Sequence, residues 1–186
     1  METALTNSQT EEERMEFGFE RTRCACSDCA LNCKHLPGYL VPADVERIAR
    51  RLGYTNLGDF AFDNLLASVG ATVMNAEGQV FQIPTLVPRR KSDGSCVFLD
   101  ERDRCTIHSV SPFGCSFFDA HQSDAEANAR SGRGLREIAR EWAAGSRSAY
   151  AVLWRGLFEM GLRAVPPGVA RRRMKEAEGN KRSLSK

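Results

Sequence analysis

The chain has 186 residues, 42% of them hydrophobic and 27% charged, with a net charge of +2. That length supports one domain with its own hydrophobic core, so the fold as a whole need not rest on metal or disulfide staples. The composition is that of a soluble globular protein, and no stretch has the length and apolarity of a membrane span.

Residues 1–16 are polar, with Glu11, Glu12 and Glu13 in a row, and are expected to form a mobile arm. A single domain is expected over residues 17–167. The first twenty residues carry no apolar run behind a basic region, so an export signal is not expected, and the expected compartment is the reducing cytoplasm. The stretch RCACSDCALNCKH follows; its small and polar residues suit a loop wrapped around an ion, closed by Pro37-Gly38. LVPADVERIARRLG predicts a helix. Pro42 sits in the first turn, Asp44 and Glu46 suit the N-terminal dipole, Gly53 is the stop, and Val45, Ile48, Ala49 and Leu52 form the apolar stripe.

A second helix is expected over residues 57–69, ending at Gly70, with a small hairpin pairing residues 72–74 with 80–83. Residues 96–99 and 105–107 bracket the turn DERDR and predict another hairpin; Ser111-Pro112 and Gly114 then bend Cys115 back toward it. From Gly134 to about Ala164 the apolar residues Leu135, Ile138, Trp142, Ala149, Leu153, Leu157 and Met160 recur at helical steps. Gly145 and Gly156 predict a kink or two shorter helices. Residues 168–186 hold seven lysines and arginines against two glutamates and are expected to be a disordered basic tail. The expected fold class is α+β, mostly helical: a small irregular metal-binding core with short β-hairpins and a long C-terminal helical segment.

Chemistry concentrates in seven cysteines. Cys24, Cys26, Cys29 and Cys33 occupy one window, and Cys96, Cys105 and Cys115 a second. Thiols this dense in a reducing compartment read as metal ligands rather than disulfide partners, and their odd number precludes complete internal pairing. A zinc site typically joins a C-x2-C knuckle, here Cys26 and Cys29, to a distant pair. Iron–sulfur clusters also draw on closely spaced cysteines plus a distant one. Spacing alone leaves both open: an iron–sulfur cluster or iron, and zinc as the alternative. His108, three residues after Cys105, is a candidate eighth ligand; His35 is a weaker one, and His121 reads as solvent-exposed. Seven thiolates exceed what one four-coordinate ion can use, which calls for a multi-iron cluster or two centres unless some cysteines are not ligands.

The cysteine cluster, the following LVPADVERIARRLG helix and CVFLDERDRCTIHSVSPFGC together resemble the YkgJ-type cysteine-cluster family, described as a zinc- or iron-chelating domain. The resemblance spans about residues 23–118. It implies that Cys24, Cys26, Cys29 and Cys33 match the first cluster as a group, that Cys96, Cys105 and Cys115 match the second set, and that Asp44 is the helix aspartate. Ala30 stands where the family has the second of two adjacent cysteines, and Ser111 where it has an arginine. Related sequences include a flagellin lysine methylase with an iron–sulfur cluster, which adds weight to iron.

No acid–base pair or phosphate-binding loop identifies a reaction, so the sequence assigns no enzyme class. The tail arginines lack interleaved aromatic residues and read as solvated, so neither nucleic acid nor membrane is an expected partner. Trp142, Tyr150, Trp154 and Phe158 read as core and as helix surface for an unidentified protein partner. The function expected is iron–sulfur or iron binding with a redox or accessory role to a modifying enzyme. The alternative is a structural zinc protein acting through protein–protein interaction.

Overall fold

A computed structural model describes residues 14–24, 26–74, 77–143, 147–166, 168–172 and 175–176. The fold is mixed α+β and mostly helical, with two antiparallel hairpins. The first hairpin pairs β1 (Met15–Glu16) with β2 (Phe19–Glu20). Residues 14–16, assigned to the arm by sequence, are thus ordered, and Arg14 and Glu16 join an ion-pair group around Asp44 and Arg47. Residues 1–13 of that arm lie outside the described residues.

Helix α1 (Ser27–His35) replaces the expected loop at the first cysteine window. None of its residues is buried, so it carries no aliphatic stripe by which to be recognised. Helix α2 (Pro42–Arg51) is the one the sequence announces: Val45, Ile48 and Ala49 face the core. Asp44 is buried with them and accepts the backbone N–H of Val41 at 2.8 Å, an N-terminal cap in which the chain turns back on its own helix.

Helix α3 (Leu57–Asn64) stops five residues before the expected end, and the chain runs directly into β3 (Leu65–Met74). This strand pairs antiparallel with β4 (Val80–Pro88), giving a longer hairpin than the expected 72–74/80–83. Gly70, read as a helix stop, marks an irregularity in register between Ser68 and Ala71. Its φ is +83°, and a Cβ there would lie 1.6 Å from the Ile83 carbonyl oxygen, so only glycine fits. The second expected hairpin is reduced to a single bridge, Leu99 with Cys105, and Cys96 is bridged instead to Arg90. A 3-10 turn (His108–Val110) and the short α4 (Phe113–Ser116) follow.

The long helical pattern resolves into α5 (Asp124–Glu141) and α6 (Ala149–Glu159), the shorter-helices alternative, with Ser148 capping α6 through the Ala151 N–H. Helix α5 begins ten residues before the expected start, capped by Ser123. Both helices lean on the β3–β4 hairpin. Tyr150 Oη takes the Leu86 N–H and donates to the Leu40 carbonyl, both at 2.8 Å; Trp142 and Trp154 donate to Pro84 and Ser68 carbonyls. The core between them holds Leu40, Ile48, Phe60, Leu65, Ile107, Phe113, Phe117 and Ile138. Residues 168–172 and 175–176 of the expected tail are helical, and the remainder lies outside the described residues. No helix among the described residues is long and apolar enough to cross a membrane.

Candidate metal centres

Cys26 caps α1, and Cys29 and Cys33 follow at positions three and seven residues on, which places all three thiols along one face of the helix. The C-x2-C-x3-C spacing is therefore helical, not that of a flexible loop. At the N-terminal end of that face the sulfurs of Cys24, Cys26 and Cys29 lie within 4.8 Å of one another; all three residues are half-buried. The turn after α4 closes over them: the Ala120 N–H donates to Cys29 Sγ at 3.3 Å, and His121 hydrogen-bonds to Cys26. Asp119 shapes this turn by accepting the His121 N–H at 2.8 Å.

The backbone N–H of Cys29 and the His121 side chain, aided by the neighbouring thiols, pull the Cys26 pKa down to about 6. Burial pushes Cys29 up to about 11. One thiol of the trio is thus favoured as the thiolate, and the imidazole beside it is drawn toward its protonated form.

Cys33 belongs to a different group. It interacts electrostatically with Cys96, Cys105 and Cys115, and each of those three interacts with the other two. Burial, followed by this mutual repulsion, raises Cys96 to about 12, Cys105 to about 11 and Cys115 well above its ordinary value; burial alone raises Cys33. The four thiols come from four parts of the chain. The Cys96 N–H donates to the Lys34 carbonyl at 3.0 Å, tying the loop after β4 to α1. Cys105 is held by its bridge to Leu99 and by the Thr106 N–H on the Phe98 carbonyl.

Cys115 is fixed by backbone packing. Gly38 N–H donates to its Sγ at 3.1 Å, and the Gly114 N–H donates to the Tyr39 carbonyl at 3.0 Å. A Cβ on Gly38 would lie 2.0 Å from the Gly114 carbonyl, so the two segments touch backbone to backbone. Asp44 braces the same turn by accepting the Phe113 N–H at 2.8 Å. This gives the helix aspartate a structural task at the site, although it does not line the cavity among the thiols.

A cavity of about 440 Å³ lies between these elements, and six of the seven cysteines line it, all except Cys26. Among the described residues, no trio of potential ligand atoms other than Cys24, Cys26 and Cys29 is as closely gathered. The Cys33 group is therefore wider. His108 opens the 3-10 turn at the cavity wall with an exposed side chain, and its carbonyl accepts from Arg21 at 2.5 Å. His35 ends α1, away from the close trio. His121, read from sequence as solvent-exposed, is exposed but also touches Cys26; its link to the window spans some ninety residues and leaves no local sequence signal.

Two gatherings of soft thiol donors on a small mixed fold define a metal-chelating cysteine-cluster domain. A family model matches residues 25–132, more than half of the chain, and the protein belongs to that family: CxxCxxCC, "Putative zinc- or iron-chelating domain". No curated protein and no solved structure matches the chain.

Proposed function

We propose that the seven cysteines serve two centres, divided four and three. Cys33, Cys96, Cys105 and Cys115 hold an iron–sulfur cluster; Cys24, Cys26 and Cys29 hold a separate single ion of the zinc type. The observation carrying this reading is the difference in sulfur spacing. Zinc bonded to sulfur at 2.3 Å in a tetrahedron sets sulfur–sulfur distances of about 3.8 Å. The trio, within 4.8 Å, suits one such ion. The quartet is wider and lines, together with Cys24 and Cys29 at its edge, a cavity of about 440 Å³, which suits a cluster whose thiolates each bind a different iron.

Desolvation is consistent with the same division. It raises all four thiols of the quartet, of which Cys96 is buried and the other three half-buried. Such thiols give up their protons most readily against a strongly cationic centre, and a thiolate-held cluster is suited to one-electron chemistry. The function supported best is a redox or accessory role beside a modifying enzyme. Met74, Val80 and Phe81 at the tip of the β3–β4 hairpin are exposed and offer apolar surface to such a partner. His108, on the cavity wall, stays a candidate ligand of the quartet's centre.

Purification without oxygen tests this reading. Expected are a brown protein with sulfur-to-iron charge-transfer absorption, iron and acid-labile sulfide in stoichiometric amounts, and close to one zinc per chain. A colourless protein carrying only zinc would sink the iron reading and leave the structural-zinc alternative.

A further inference from the structure

The trio of Cys24, Cys26 and Cys29 has three sulfurs where a closed tetrahedral ion has four donors. Two independent contacts bring the turn 119–121 onto this trio: Ala120 N–H to Cys29 Sγ, and the His121 side chain to Cys26. The turn is itself ordered, since Asp119 accepts the His121 backbone N–H and Gln122 donates to the Phe117 carbonyl. The geometry points to His121 as the fourth ligand of the outer ion, making a Cys3His centre that fastens the turn after α4 to the start of α1.

Imidazole and thiolate are both ordinary zinc donors, and a ring nitrogen in hydrogen-bond contact with one sulfur is close to the separation two ligands share across a tetrahedral edge. The ring is not within 4.8 Å of all three sulfurs. It is exposed, which leaves its side-chain torsions room to bring a nitrogen toward the ion. On binding, a dication displaces the remaining thiol protons and the proton shared by the imidazole, all of which pass to solvent; three thiolates and a neutral imidazole then surround it, with a net charge of −1. Such a site has no vacant position and is structural.

This inference rests on the division proposed above and is tested apart from it. Zinc coordination is read by X-ray absorption on the full chain and on His121→Ala, a change at an exposed position that leaves the core intact. The difference between the two proteins isolates His121 whatever metal the quartet holds. Expected is loss of one nitrogen per outer zinc, with oxygen in its place, unchanged sulfur, and zinc affinity weaker by about tenfold or more. Identical coordination in both proteins, or four sulfurs on the outer zinc, would overturn the proposal. Absence of iron and sulfide would instead bear on the quartet alone.

Discussion

The two thiol groups sit one helical turn apart on α1, yet they are built in opposite ways. The outer trio comes from six consecutive residues, stays half-buried, and gathers its sulfurs within 4.8 Å. The inner quartet takes Cys33 from α1 and its other members from three separate segments sixty or more residues away, and all four line a cavity of about 440 Å³ that Cys24 and Cys29 also reach. A local set of donors inherits its spacing from the backbone and fits one ion. A long-range set inherits its spacing from tertiary packing, and can leave room for something larger. The border between the two thiol groups therefore falls inside the first cysteine window, between Cys29 and Cys33, rather than between the two windows.

The largest effect is expected where packing alone sets the inner geometry. In Gly38→Ala the new methyl would meet the Gly114 carbonyl at 2.0 Å, with backbone on both sides and no flexible side chain to yield. The segments carrying Cys33 and Cys115 must then separate. Expected is a stability loss on the order of 3 kcal/mol or more by urea denaturation, with loss of the inner metal. An unchanged midpoint would mean that the inner centre tolerates a wider frame than the backbone contact implies.

A pair of single substitutions cuts between the regions directly. Cys33→Ser is expected to remove most of the iron and sulfide while retaining the outer zinc; Cys24→Ser is expected to do the reverse. Metal analysis on both, beside circular dichroism to check folding, reads the division. If Cys33→Ser instead emptied the outer zinc and left the iron, the first window would act as one four-sulfur site and the comparison would fail.

What the sequence disclosed follows the same line between local and long-range. Helix α2 was legible because its stripe of Val45, Ile48 and Ala49 is aliphatic and its cap lies within four residues. Helix α1 was not, because the residues at helical spacing along its face are Cys26, Cys29 and Cys33, which attract attention as ligands before they are read as a stripe. The seven thiols were all visible as candidates, but their partition was not, since it depends on where residues 96, 105 and 115 return in space. The first half of β3, residues 65–69, was read as a continuation of α3 because Leu65, Leu66 and Val69 also fit a helical period, while residues 72–74 were read as strand; pairing with β4 and the close approach at Gly70 decide for strand throughout. His121 carries no local pattern at all, and only the fold brings it to Cys26.

The smallest effect is expected at the ion pair between Lys34 and Asp103, 2.7 Å apart, which links the helix bearing Cys33 to the turn before Cys105. Its position suggests control of the inner centre, but its exposure argues against it. The Asp103 side chain is 57% exposed, and such pairs contribute about 0–1 kcal/mol and weaken with salt. Backbone contacts fix each side of this pair more firmly: the Cys96 N–H on the Lys34 carbonyl ties α1 to the segment leading into the turn, and the Asp100 N–H on the Arg104 carbonyl at 2.9 Å closes the turn itself. Asp103→Asn should therefore cost no more than about 1 kcal/mol, less in high salt, and leave iron content unchanged. Iron lost from this variant at full stability would show that the turn needs its side-chain tether to hold Cys105, and that the inner quartet is less a product of buried packing than its contrast with the outer trio implies.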